Sequence, residues 1–257
     1  MSLDSAKITA IAAHLDDAAM NATAIAQISE STTFDLEDAY KIQALSIARR
    51  LERGDTRVGM KMGFTSRAKM KQMGLDTMIW GRLTRGMVAE EGGSIVHAKF
   101  VHPRCEPEVL FLLKKRLAGK VTAAEAMAAV EWVAPALEII DSRYKNFKFS
   151  LPDVVADNSS SSAFLVGEPH LPRDTSNLGL VMSIDGKPLE IGSTAAILGN
   201  PLRSLVAAAA LVAEAGEALE PGSIVMAGGA TAAQALSPGN RVLLEMQSLG
   251  RVSFEVK

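Results

Sequence analysis

Three glutamates sit in two short apolar segments, Glu106 and Glu108 in "CEPEVLFLL" and Glu138 in "APALEIID". A carboxylate in a strand that reads as core is costly to bury, so three of them suggest that a cation offsets the cost. Side chains alternate along an extended strand, which puts Glu106 and Glu108 on one face and Pro107 on the other. If the strand through Glu138 runs nearby, the three form a hard-oxygen clamp suited to Mg²⁺ or Mn²⁺, with waters or substrate oxygens completing the shell. The same spacing also fits a pair of acids on the solvent face of an amphipathic strand, and spacing alone does not separate the two. Pro107 has no backbone donor and is expected at a sheet edge or bulge.

The 257 residues are 48% hydrophobic with a net charge of −2, which predicts a soluble globular protein of one large or two small domains. No dense basic run interleaved with aromatics is present, so nucleic acid is not an expected partner. The apolar stretch Leu205 to Ala213 is too short to span a bilayer, and Asp16-Asp17 stands where a signal segment would be apolar. The expectation is no membrane and a cytoplasmic location. A single cysteine, Cys105, excludes an internal disulfide and reads as a small buried residue. His14, His97, His102 and His170 are scattered without metal-ligand spacing; none is assigned to catalysis.

Apolar spacing predicts a helix over residues 4–28, then a second one capped by Thr33 and running through Arg50, with Phe34, Leu36, Tyr40, Leu45 and Ile47 as packing residues. A short strand, Val58 to Met62, carries Lys61. The turn Gly63-Phe64-Thr65-Ser66 follows and caps a short helix ending at Gly74. From about Ile95 onward strands are predicted at 106–113, 133–140, 163–167, 179–184, 223–227, 241–246 and 251–256, with a turn at Asp185-Gly186-Lys187. Two helices interrupt them; the later opens at Pro201 and presents Leu205, Val206, Ala209, Val212 and Ala213. The run Ser159 to Ser162 fits a hydroxyl-lined pocket or an exposed turn.

The segments "EIIDSRYKNFKFSLPDVVADNSSSS", "GMKMGFTSRAKMKQMGLDTMIWGRL", "VHPRCEPEV" and "EIGSTAAILGNPLRSLVAAAALVAEAGEALEPGSIVMAGGATAA" closely resemble the 4-oxalocrotonate decarboxylases. These are grouped with the vinylpyruvate hydratases in the fumarylacetoacetate hydrolase-like superfamily. The likeness runs from about Thr33 to the C-terminus. It implies metal ligation by Glu106, Glu108 and Glu138, places Lys61 at the substrate, and carries over Ser160 and Ser161 from "DNSSS", with Asn158 beside them. The fold it implies is α+β: a smaller, mainly helical N-terminal domain over 1–90 that contributes Lys61, then a metal-binding mixed β-roll or distorted barrel over 91–257. The activity it implies is metal-dependent decarboxylation of 2-oxo-3-hexenedioate to 2-hydroxypenta-2,4-dienoate and carbon dioxide, in meta-cleavage degradation of aromatic compounds. The alternative is the sister hydratase; a third reading is a non-catalytic subunit that supports a hydratase partner. A homo-oligomer and a complex with a vinylpyruvate hydratase are the partners the resemblance suggests.

In that substrate the C6 carboxylate lies vinylogously β to the C2 ketone, so loss of carbon dioxide sends two electrons into a dienolate whose charge ends on the C2 oxygen, where a divalent ion acts as Lewis acid. Lys61 as an ammonium adds charge stabilisation there, a role preferred over a Schiff base because the metal already provides the electron sink. The departing carboxylate calls for a less polar pocket without a strong salt bridge. Ser160, Ser161 and the apolar residues around Leu83 and Met87 are the candidates for that end; Arg143 and Arg85 are candidates for carboxylate contact, with a surface or structural ion pair as the alternative for each. The segment Gly81-Arg82-Leu83-Thr84-Arg85-Gly86-Met87 lacks the acid the hydratases carry, which counts against hydration. Ala227 replaces the usual threonine before Gly228-Gly229, with Thr231 nearby, and Asn240 replaces the usual aspartate.

Overall fold

Asp4 and Asp35 start the first two helices by accepting hydrogen bonds from the backbone N–H groups of Lys7 and Asp38, each satisfying a donor the helix leaves orphaned. In the computed structural model, which describes residues 3–66, 70 and 77–257, these are α1 (Ser5–Met20) and α2 (Leu36–Glu52). The first helix therefore ends well before residue 28, at Asn21, and the second is capped by Asp35 rather than Thr33, because only the later residue reaches the third N–H of the helix. Phe34 and Ile47 are buried as expected, whereas Leu45 is exposed. The predicted helix after Ser66 falls largely outside the described residues.

The strands are β1 (Arg57–Gly63), β2 (Ile79–Thr84), β3 (Ser94–Ile95), β4 (Arg104–Leu113), β5 (Val130–Ile140), β6 (Ser161–Val166) and β7 (Gly179–Ile184). They continue with β8 (Lys187–Ser193), β9 (Ile224–Met226), β10 (Gln234–Ala235), β11 (Arg241–Met246) and β12 (Gly250–Val256). Three further helices are α3 (Ala123–Ala129), α4 (Leu151–Ala156) and α5 (Pro201–Glu214). A seven-stranded mixed sheet runs β2-β1-β9-β4-β5-β6, with β10 added to β4, and a five-stranded sheet runs β3-β12-β11-β7-β8.

Alternation along the strands gives the larger sheet two faces. Met60, Met62, Trp80, Val109, Phe111, Leu137, Leu165 and Val225 belong to the main core, shared with the smaller sheet and α5. The opposite face holds a second cluster of Leu83, Leu110, Ala136, Phe164 and Met226. Helices α1, α2 and α4 form a third cluster around Tyr144. The apolar run Thr194–Glu214, which includes α5, has a mean hydropathy of 1.6, enough by length and composition to cross a membrane and longer than the stretch read from sequence. Its Leu205, Ala208, Ala209 and Val212 are instead packed inside the fold.

The larger sheet curls until its ends meet. Asn158 accepts from Arg82 N–H at 2.7 Å and donates to Arg82 C=O at 2.9 Å, so the loop before β6 pairs with β2 as a strand would. Gly81 makes this possible: a Cβ there would lie 2.5 Å from Asn158 O. Strands β1 and β2 belong to this sheet, so hydrogen bonding is continuous across residue 90 from Lys61 to the glutamate strands. Pro107 sits where no ladder bond is asked of it. Its carbonyl accepts from Ala230 N–H at 2.9 Å, on the side of β4 that lies between the β9 and β10 pairings.

Candidate metal and substrate site

Glu106 stands directly opposite Glu138 in the β4–β5 ladder, and Glu108 stands opposite Ala136. Directly paired residues share a face, so the register alone gathers the three carboxylates, and the small Ala136 leaves Glu108 room to turn toward them. Oxygens of all three lie within 4.8 Å of one another, with Glu108 and Glu138 buried and Glu106 half-buried. The solvated-face reading is thereby excluded. Glu106, Glu108 and Glu138 are brought together as the spacing allowed.

The loop after β9 closes over this cluster. Gly228 N–H donates to Glu108 Oε2 at 2.7 Å, and a Cβ on Gly229 would lie 2.4 Å from Glu106 Oε2. The other oxygen, Glu108 Oε1, is buried without a hydrogen-bond partner. Burial, then the charges of Glu138 and Glu106, pushes the Glu108 carboxyl well above the usual carboxylate range. A donor set of hard oxygens, one of them orphaned and its acid driven toward the neutral form, fits a small divalent cation that would restore all three as carboxylates.

Lys61 reaches the cluster from β1. Its Nζ donates to Glu138 Oε2 at 3.2 Å, and both side chains are buried. Ser161 Oγ donates to Glu138 Oε1 at 3.1 Å. Ser160 Oγ is buried and unpartnered, so it keeps its hydrogen-bonding capacity for something else. Asn158, Ser159 and Ser160 all adopt left-handed backbone, at φ 49°, 52° and 60°. Such a run in non-glycine residues is strained and is held here by the Asn158 pairing with β2 and by Ser159 Oγ donating to Trp80 O at 2.8 Å. The serine run is therefore a buried, hydroxyl-bearing wall and not an exposed turn.

A cavity of about 230 Å³ opens on these groups, small beside the roughly 300–1,000 Å³ of drug-sized pockets. Its lining combines the polar Lys61, Glu106, Thr65, Ser66 and Ser160 with the apolar Phe64, Ile79, Phe147, Phe149 and Val154. The apolar wall is not where it was expected. Leu83 and Met87 pack with Leu110 and Phe164 in a separate cluster. Arg143 is committed to Asp157, Ser162 Oγ and the Asp157 carbonyl, and Arg85 is exposed, so neither arginine serves the cavity. Phe147 and Phe149 were not singled out from sequence, and no local periodicity marks them. Their segment carries left-handed Asn146 and Phe147 and is positioned by tertiary packing.

Cys105 is fully buried on the opposite face of β4, and burial raises its thiol well above the usual range, consistent with a packing role. Asn240 bonds Asp185 and the Ser237 N–H, a structural task at the 185–187 turn. His102 packs against Phe147 at 5.2 Å between ring centroids.

A family model described as fumarylacetoacetate hydrolase C-terminal matches residues 62–257. The chain belongs to this family. Within it, the chain is 60% identical over 249 residues to a 4-oxalocrotonate decarboxylase of Pseudomonas sp., covering 96% of this chain and 97% of the relative. It is 33% identical over 225 residues to a 2-keto-4-pentenoate hydratase of Paraburkholderia xenovorans strain LB400, covering 86% and 84%. The structure of 4-oxalocrotonate decarboxylase from Pseudomonas putida G7, complexed with magnesium and adipate, superposes with a TM-score of 0.97 at 38% identity, covering 100% of this chain and 99% of that one. The α+β fold with N-terminal helices before a curled mixed sheet is thus the fold of this family.

Proposed function

We propose that the chain is a carboxy-lyase that converts 2-oxo-3-hexenedioate to 2-hydroxypenta-2,4-dienoate and carbon dioxide, with Mg²⁺ or Mn²⁺ held by Glu106, Glu108 and Glu138. The observation that carries this reading is the orphaned Glu108 Oε1 inside a three-carboxylate cluster beside a cavity lined by both polar and phenylalanine side chains. Likeness to the named decarboxylase and to the magnesium-bound structure supports it.

When bound, the metal ion would supply Lewis-acid stabilisation of oxygen charge. The chain's own groups do the rest. Lys61 holds Glu138 in place and offers the positive charge that a developing oxyanion at C2 requires. Ser160 Oγ, which has no partner among the described residues, is placed to bond the C1 carboxylate. The C6 end of the substrate then meets Phe147, Phe149, Phe64 and Val154. An apolar wall solvates a carboxylate poorly and carbon dioxide well, so it favours the step in which the C5–C6 bond breaks and its electron pair moves through C4 and C3 to the C2 oxygen. Among the described residues that line the cavity, no arginine is present to pair with the leaving group.

One observation bears on the alternative hydratase. Among the described residues lining the cavity only Lys61 and Glu106 are ionisable, and both belong to the carboxylate cluster, whereas hydration calls for an acid or base at C4 and C5. A homo-oligomer, a complex with a vinylpyruvate hydratase, a place in aromatic meta-cleavage and a cytoplasmic location belong to the same proposal. Carbon dioxide release from 2-oxo-3-hexenedioate by Mg²⁺-loaded protein tests it; absence of release, with hydration of 2-hydroxypenta-2,4-dienoate instead, overturns it.

A further inference from the structure

We propose that Arg104, acting across the Phe147 ring, is the recognition element for the remote carboxylate of a dicarboxylic 2-oxo acid. The proposal rests on the decarboxylase reading above and adds the means by which a dicarboxylate is selected over a monocarboxylate.

Arg104 lies on β4 two residues before Glu106 and four before Glu108, so alternation places its side chain on the face that carries the acids. It stands opposite Ile140, a residue of the cavity wall. Two residues of strand span ~7 Å, about the length of a six-carbon chain whose keto acid end is at the carboxylate cluster. The guanidinium lies 4.3 Å from the centroid of Phe147, whose ring lines the cavity. Among the described residues Arg104 forms no hydrogen bond or ion pair with any other side chain. Among the described residues, three buried cations near the site are committed: Lys61 to Glu138, Arg143 to Asp157, and Arg82 to Glu217 and Gln43. Arg104 carries no such commitment.

Its placement behind a ring, and not in the cavity lining, has a chemical use. Phe147 packs against both Arg104 and His102 and holds a left-handed φ of 56°. The half-buried guanidinium attracts a second carboxylate over a distance that salt can screen, while the intervening ring denies it the contact ion pair that would hold the leaving group. The expected signature is therefore in binding. Arg104 is a positioning residue whose removal weakens dicarboxylates and leaves the chemical step nearly untouched.

The test uses Mg²⁺-loaded protein titrated calorimetrically with 2-oxohexanedioate and with 2-oxohexanoate, which share the chelating end and differ in the remote carboxylate. Arg104→Gln is expected to weaken the dicarboxylate about tenfold and the monocarboxylate less than about twofold, with Arg104→Lys restoring most of the loss. In turnover of 2-oxo-3-hexenedioate, KM rises by a similar factor and kcat stays within about threefold. Equal weakening of both ligands, or none, overturns the proposal. If Arg104→Gln does not fold, the wild-type protein still decides: the preference for the dicarboxylate shrinks as salt screens the charge, and a salt-independent preference overturns the idea. A wild-type protein that binds both ligands with the expected preference but releases no carbon dioxide would fail the decarboxylase reading and leave the subsite standing.

Discussion

Two buried cation–carboxylate pairs flank the Asn158–Ser162 segment, and they are built differently. Arg143 and Asp157 satisfy one another completely: the carboxylate takes the Arg143 Nε and its backbone N–H, while the remaining guanidinium donors go to Ser162 Oγ at 2.7 Å and Asp157 O at 2.6 Å. Lys61 and Glu138 sit in an incomplete network, for Glu108 Oε1 and Ser160 Oγ beside them have no partner among the described residues. Adjacent serines divide the work, Ser161 bonding Glu138 and Ser162 bonding Arg143, since neighbours on a strand face opposite ways. Closure marks scaffold; an unfilled valence inside a buried polar cluster marks a site.

The sharpest way to break this contrast is Glu108→Gln, which keeps shape and removes one charge. Metal-dependent carbon dioxide release should fall by about 10³-fold, the scale of losing a group that stabilises developing charge. The same substitution should leave the metal-free protein at least as stable as wild type, because it removes repulsion with Glu106 and Glu138. Melting curves with Mg²⁺ and with chelator read both effects. A metal-free variant that melts well below wild type would mean Glu108 is scaffold after all.

Next in size is a matched pair of neutralisations. Lys61→Met should cost about 10²-fold in kcat, the lower end of losing an oxyanion donor. Arg143→Met should destabilise the fold by about 3–5 kcal/mol, since it strands a buried carboxylate, while the folded fraction keeps kcat within a few-fold. Chemical denaturation and single-turnover rates on both variants separate the outcomes. If the two swap signatures, the division into site and scaffold is wrong.

Much of the ligand strand is legible from residue order, because Glu106 and Glu108 at a spacing of two fix a shared face whatever the partner strand is. The register that adds Glu138, and the Ala136 that makes room, are tertiary facts. Strand β2 shows why other parts are illegible. All six of its residues are buried, yet they include Gly81, Arg82 and Thr84, so no apolar alternation announces it. Arg82 is buried because Trp80, Gln43 and Glu217 surround it, and those contacts come from distant segments. The shift of the second helix cap from the expected Thr33 to Asp35 reflects two capping residues within three positions, of which geometry picks one. The phenylalanine wall fails for the opposite reason: Phe147 and Phe149 are prominent in "KNFKF", but their direction depends on two left-handed residues that nothing in the composition demands.

The smallest effect is a pH dependence, and its sign runs against the usual carboxylate case. Burial pushes the Asp157 carboxyl up to about 6 from an ordinary 3.8, only partly opposed by Arg143, and burial with two neighbouring acids raises Glu108 as well. A carboxyl whose folded pKa exceeds its unfolded one binds more protons when folded, so its contribution to stability is present in acid and is lost as pH rises through the folded pKa. For Asp157 that window lies between 3.8 and about 6. Metal works the other way at Glu108, since Mg²⁺ requires the carboxylate and competes with the proton. Melting curves in chelator should therefore decline across this window, while the gain on adding Mg²⁺ should widen with rising pH. Asp157→Asn should flatten the decline with and without metal alike, and Glu108→Gln should abolish the metal-dependent gap. A gap that is present but insensitive to pH would mean that no proton occupies the acid cluster when the ion is absent, and the two buried pairs would then differ in partners but not in charge state.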